Sequence, residues 1–232
     1  MIGAAVALGA LGAGAIGAYY PNAWLFGQVI GRGSRTGHDL YLTFDDGPNP
    51  EATDRILGVL AEEQVPAAFF MVGEHVRRFP DVARRVRAAG HEIGNHTDTH
   101  CKLHRRGPNR IRAELSAAHR TIVDQVGIAP RIFRAPHGYR NPFVGAATHR
   151  LGYQTLGWTF GVWDSDRPGT DRIRSRTRTH LRSGAIILLH DGDGSDPYGD
   201  RRQTAEALPG IIRDARALGY TFRPLEALLR SR

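Results

Sequence analysis

Only one cysteine, Cys101, and one lysine, Lys102, occur in 232 residues. A lone cysteine cannot close an intramolecular disulfide, so the fold must rest on its core. A chain of this length can bury a sizeable core as one domain without bridges. Of 31 basic residues only Lys102 is lysine, and the arginines are scattered through predicted helices, not gathered into a basic arm. No aromatic-basic motif accompanies them, so the net charge of +8 is not the footprint of a nucleic-acid binder. It fits a compositional bias, with some attraction to an anionic cell envelope. With 41% hydrophobic and 23% charged residues, disorder is not indicated. There is no strong internal repeat, and no low-complexity segment beyond the amino terminus.

No charged residue precedes Arg32. Met1 to about Ala18 is almost entirely Ala, Gly, Leu, Ile and Val, about the ~20 residues that cross a bilayer, although its glycines weaken helix propensity. It reads as an export signal or a weak amino-terminal anchor, and Tyr19, Tyr20 and Trp24 follow it where interfacial aromatics would lie. An extracytoplasmic location is expected, with any membrane association through residues 1–20. Pro21 to His38 reads as a Gly-rich connection, so that residues 1–38 precede a folded domain over 39–232.

From Asp39 onward short apolar runs alternate with amphipathic segments, the pattern of repeated β-α units around a parallel sheet. Strands are predicted at Leu40–Phe44, Ala67–Val72, His91–Gly94, Ile132–Arg134, within Tyr153–Phe160, at Ala185–Leu189 and around Tyr220–Phe222. Between them, Asn49 and Pro50 open a helix with Ile56, Val59 and Leu60 buried. Val82, Val86 and Ala89 mark a second, ending at Gly90. Ile111, Leu115, Ala118, Ile122 and Val126 mark a third, ending at Gly127. Asn141-Pro142 opens another, and Pro209 is expected to kink or break the last long one. The expected architecture is α/β: a distorted or incomplete (β/α) barrel with about seven parallel strands.

The unusual polar residues fall at the ends of these strands. Thr43-Phe44-Asp45-Asp46-Gly47-Pro48 places two adjacent carboxylates where the first strand meets a turn. Ionised carboxylates are costly to bury without a partner, but they suit a metal site at a barrel mouth. His96-Thr97-Asp98-Thr99-His100 follows the third strand, and on one helical turn its two histidines would point the same way. Arg134 ends the fourth strand, Asp164 follows the fifth, and His190-Asp191 ends the sixth. Each alone is an ordinary turn, ion pair or strand terminus. Acids, histidines and an arginine at five separate strand ends are hard to explain as packing, and a single polar site is expected. Two imidazoles and a carboxylate fill three positions of a catalytic zinc; the same donor types also suit non-haem iron.

TFDDGP at 43–48, HTDTH at 96–100, RAPHG at 134–138, the region of Asp164 and LLHD at 188–191 resemble, in order, the motifs of the polysaccharide deacetylases with a NodB-like domain, carbohydrate esterase family 4. AAFFMVG at 67–73 and GHEIGNH at 90–96 agree, and the resemblance covers roughly Asp39 to Leu229. It implies Asp46, His96 and His100 as ligands of one divalent metal, usually zinc. It implies Asp45 as general base, Arg134 and Asp164 as the residues that orient and tune that base, and His190 as general acid. Leu188 would line the acetyl pocket, the backbone N–H of His137 would serve as oxyanion donor, and Pro136 would join the substrate wall. Metal coordination would polarise the amide carbonyl and lower the pKa of water towards ~7. Two departures stand out: His137 replaces the usual tyrosine, and Asp164 is preceded by Trp163 instead of being followed by tryptophan, which leaves Asp166 as an alternative.

The implied activity is removal of N-acetyl groups from an N-acetylglucosamine-containing glycan, chitin-like or peptidoglycan. The alternatives are an O-acetyl esterase, a deacetylase of a non-polymeric or lipid-linked sugar, and, less favoured because Asp45 and His190 are both retained, a glycan-binding protein without turnover.

Overall fold

The computed structural model describes residue 12 and residues 14–230. Most of the apolar stretch read as a signal or anchor therefore lies outside the described residues. Among those described, no helix is long and apolar enough to cross a membrane.

The sheet is built outward from β1 (Asp39–Asp45), flanked by β2 (Ala67–Met71) and β7 (Ala185–His190). β3 (Glu92–Asn95), β4 (Ile132–Phe133) and β5 (Gln154–Thr155) continue one side, and β6 (Phe160–Gly161) ends the other, in the order β5-β4-β3-β2-β1-β7-β6. All pairings between these strands are parallel. β8 (Thr221–Phe222) lies off this path and pairs with Asp39 and Leu40 of β1. This is the incomplete (β/α) barrel expected.

Side-chain alternation along β1 divides the core in two. Leu40, Leu42 and Phe44 join Phe69, Met71, Ile187 and Leu189 in the layer beneath the helices. Tyr41 joins Ala68, Phe70, Ile132 and Ile186 in a second cluster on the other face. Thr43 and Asp45 follow Tyr41 at period two, so this inner face turns polar at the carboxyl end of the strand. Register aligns Asp45 with Phe70 of β2 and with His190 of β7, which sets a base and an imidazole side by side on adjacent strand ends.

Among the residues described from 39 onward, the helices are α1 (Ala52–Glu62), α2 (Gly73–Arg78), α3 (Pro80–Ala88), α4 (Pro108–Val126), α5 (Pro142–Arg150), α6 (Thr170–His180), α7 (Arg202–Ala217) and α8 (Leu225–Arg230). Asn49 caps α1 through its side-chain oxygen, which accepts the N–H groups of Glu51 and Ala52 at 3.0 and 2.9 Å. α4 stops where Gly127 takes φ +75°, a value favouring glycine.

Four readings change. In α3 the third buried position is Ala83, and Ala89 is exposed because the helix ends one residue before it. The Tyr153–Phe160 stretch forms two short strands at opposite edges of the sheet, because the chain crosses the barrel mouth between them. α7 runs unbroken through Pro209, held by buried Leu208, Ile211 and Ile212; tertiary packing outweighs the lost N–H.

The fourth concerns Pro21–His38, which is no free connection. Ile30 bridges Leu156 and Arg32 bridges Ala185, so this strap spans the gap left in the barrel. The buried guanidinium of Arg140 donates to the carbonyls of Pro21, Ala23 and Gly27, and its main-chain N–H to that of Ala18. Arg140→Met strands these carbonyls. A cost of about 3 kcal/mol is expected, read as a melting temperature lowered by roughly 6–12 °C and as new proteolytic cleavage between residues 18 and 28.

Candidate active site

Arg134 enters the inner layer directly after β4, its N–H donating to Asn95 O at 3.1 Å. The side chain is fully buried, with the guanidinium carbon 4.1 Å from the Phe70 ring centre. Nη1 donates to Asp45 Oδ1 at 2.6 Å and to Thr43 Oγ1 at 2.9 Å, and Nη2 to Gly157 O at 2.8 Å. A buried carboxylate is tolerable only with such a partner. The two-by-two alternation that sends Thr43 and Asp45 inward thus supplies the acceptors that one guanidinium needs.

Asp46 leaves the sheet at φ +76°. Its carbonyl accepts from His75 Nδ1 at 2.8 Å. Its Oδ1 lies 3.3 Å from His96 Nε2 and 3.0 Å from His100 Nε2. The ligand atoms of Asp46, His96 and His100 all fall within 4.8 Å of one another. His96 Nδ1 donates to Arg134 O at 2.8 Å. A carbonyl only accepts, so the proton sits on Nδ1 and the lone pair on Nε2, towards Asp46. Asp46 Oδ1 is itself buried without a hydrogen-bond donor. Burial alone would raise the Asp46 carboxyl, but the charge of His100 outweighs it and holds the group well below the usual carboxylate range. An ionised oxygen and two imidazole nitrogens converging in this way fit one divalent cation.

The histidine pair does not converge through a helical turn. Residues 96–100 form a loop in which Thr97 and His100 take φ +69° and +51°. Such conformations cost about 1–3 kcal/mol each and persist only where neighbours enforce them. Here buried Glu114 of α4 accepts the N–H groups of Asp98 and Thr99 at 3.0 and 2.9 Å and the Thr99 hydroxyl at 2.9 Å. Opposite, a Cβ on Gly194 would collide with the His100 ring and one on Gly192 with the Asp46 carbonyl. The loop after β7 can close on the triad only because both positions are glycine.

Asp164 is buried beside the site, whereas Asp166 is exposed. Its partner differs from expectation. Oδ1 accepts from His190 Nδ1 at 2.9 Å, and Oδ2 from His190 N–H at 2.8 Å and from Thr204 Oγ1 at 2.9 Å. With both oxygens engaged on the His190 side, Asp164 orients the imidazole and does not touch the Asp45–Arg134 pair. Burial would lower the His190 pKa, but the Asp164 charge and hydrogen bond outweigh it and push it up to about 9.

These groups open into one cleft of about 660 Å³, walled by His137, Tyr139, Trp158, Trp163 and Leu188. His137 and Trp163 both have positive φ, +57° and +58°. Pro136 does not reach the cleft; it is buried under this wall, its carbonyl accepting the Tyr139 N–H at 3.0 Å.

The family model described as polysaccharide deacetylase matches residues 32–156. The chain belongs to the polysaccharide deacetylase family. It is 39% identical over 213 residues to a chitooligosaccharide deacetylase of Bradyrhizobium sp. (strain ANU 289), covering 88% of this chain and 94% of that protein. It is 35% identical over 194 residues to a peptidoglycan-N-acetylglucosamine deacetylase of Bacillus cereus, covering 82% and 87%. Among solved structures it is similar, with a TM-score of 0.79 and 28% identity, to a family 4 carbohydrate esterase pseudoenzyme from Bacillus anthracis, covering 86% of this chain and 68% of that one. Fold likeness in this family therefore does not by itself carry activity, and function has to be argued from the side chains.

In this family member the supports that sequence reading passed over are Thr43, His75, Glu114, Tyr139, Trp158 and Thr204. Only proximity in three dimensions marks most of them. Glu114 had a signal: it is an acid on the otherwise apolar face of α4, one residue before Leu115.

Proposed function

We propose that this family member is a metal-dependent hydrolase that removes acetyl groups from the nitrogen of N-acetylglucosamine units in an extracytoplasmic glycan. The observation that carries the reading is the joining, in one cleft, of the Asp45–Arg134 pair, the Asp46/His96/His100 donor set and the Asp164–His190 pair. The names of the deacetylases to which it is similar support the same bond and the same substrate class. Zinc is the proposed ion, since two histidines and a carboxylate are its usual catalytic set. Residues 1–20 are the proposed membrane contact, and Trp24, 82% exposed, lies just beyond them.

When bound, the ion polarises the amide carbonyl and makes water a better nucleophile at neutral pH. Asp45, fixed by Arg134 and Thr43, takes the proton from the attacking water. The main-chain N–H of His137 is the proposed donor to the developing oxyanion, an interaction of a kind worth ~3 kcal/mol. An amine leaves poorly as its anion, so His190 delivers a proton from Nε2 while Nδ1 stays hydrogen-bonded to Asp164. Leu188 closes the space for the acetyl methyl.

Acetate release from acetylated chito-oligosaccharides and from peptidoglycan, lost on chelation and restored by zinc, is the expected result. Metal-independent release, or faster cleavage of O-acetyl esters than of amides, overturns it.

The Asp164–His190 pair also sets a pH dependence. The acid must be protonated, so rate falls as pH rises through the His190 pKa, and Asp164 is what raises that pKa. Asp164→Asn removes the charge, and the alkaline limb of the kcat profile is expected to move to lower pH by a unit or more, roughly 1.4 kcal/mol per unit.

A further inference from the structure

The charges lining the cleft are matched almost throughout. Asp45 has Arg134, Asp46 has the histidine pair, His190 has Asp164, and Asp193 has Arg201 at 2.9 Å. Lys102 is the exception: it lines the cleft and is exposed, with no ion-pair partner among the described residues. It stands two residues beyond His100, against the wall made by His137 and Tyr139. In a chain that otherwise uses arginine for every basic position, the one flexible ammonium is at the substrate cleft.

A neutral chitin oligomer offers this group only hydroxyl and amide oxygens. A muramic acid residue offers a carboxylate. We propose that Lys102 forms an anion subsite for a carboxylate carried by the sugar next to the one that loses its acetyl group, so that the preferred glycan is acidic, of the peptidoglycan type. This rests on the deacetylase reading above and narrows its substrate class. The exposed position makes the ion pair a source of selectivity more than of raw affinity.

The test is calorimetric binding to zinc-loaded Asp45→Asn protein, in which turnover is slowed about 10³-fold. Two tetrasaccharides of equal length are compared: peptide-free alternating N-acetylglucosamine and N-acetylmuramic acid, and chitotetraose. The acidic glycan is expected to bind more tightly, and Lys102→Gln to shrink that preference roughly two- to fivefold, with Lys102→Arg retaining most of it. The preference should also shrink in high salt. Equal affinity for the two glycans, or a preference untouched by Lys102→Gln, overturns the subsite. So does a Lys102-dependent preference confined to fragments bearing a stem peptide, since the carboxylate would then be the peptide's. Because these are binding measurements, a Lys102-dependent preference in a protein whose unsubstituted form releases no acetate would sink the catalytic reading and leave the subsite standing.

Discussion

Asp45→Asn protein is expected to release acetate about 10³-fold more slowly than the unsubstituted enzyme, the usual scale for a lost general base, while keeping its full complement of metal. The substitution is nearly isosteric, and the amide oxygen still accepts from Arg134, but an amide cannot take the proton that water must give up. The effect corresponds to about 4 kcal/mol in the barrier. Metal content should hold because Asp46, His96 and His100 form the donor set and Asp45 Oδ2 lies farther off, 3.8 Å from His96 Nε2. Asp46→Asn is the contrasting variant. It replaces the ionised oxygen at the centre of the triad, so stoichiometric metal is expected to be lost along with activity. Asp45→Asn also leaves the buried Arg134 facing a neutral group, and the melting temperature will fall. Rates therefore belong at a temperature where circular dichroism shows both proteins folded. Activity above a tenth of the unsubstituted level in metal-loaded Asp45→Asn would remove Asp45 from the base role, and equal metal loss in both variants would mean that the two carboxylates act as one site.

The contrast between Asp45 and Asp46 shows where sequence reading reached and where it stopped. Strand periodicity alone places Tyr41, Thr43 and Asp45 on one face, and parallel pairing brings the ends of β1, β3, β4 and β7 to one mouth. Asp45, His96, Arg134 and His190 could therefore be assembled before any coordinates. What period two does not encode is the turn out of the strand. Asp46 at φ +76° and Thr97 at φ +69° are conformations that side chains rarely adopt, and no local pattern marks them. The histidine pair was legible as a pair, yet for the wrong local reason: a loop held by Glu114, not a helical turn, brings the rings together. Asp164 was placed in the site but against the wrong partner, since sequence order does not tell which of two neighbouring strand ends a carboxylate will face. The strap over Pro21–His38 was hidden for another reason. Its anchor, Arg140, lies more than a hundred positions away, and its glycines read as linker composition when they serve close packing.

The largest expected loss of stability comes from Arg134→Met. Methionine replaces the apolar stem over Phe70 but leaves the Asp45 carboxylate buried beside no cation, and breaking a buried pair from one side costs about 3–5 kcal/mol. For a chain of this size that lowers the melting temperature by roughly 6–20 °C. Arg134→Lys should recover only part of it, because one ammonium cannot reach Asp45, Thr43 and Gly157 in the planar arrangement that the guanidinium provides. A double-mutant cycle then separates charge from packing. In an Asp45→Asn background no carboxylate is left to strand, so Arg134→Met should cost less there than in the unsubstituted protein, by about 1–3 kcal/mol of coupling in chemical denaturation. Strict additivity would mean that Arg134 is held for its contacts with Phe70 and the Gly157 carbonyl and not as the counter-ion of Asp45.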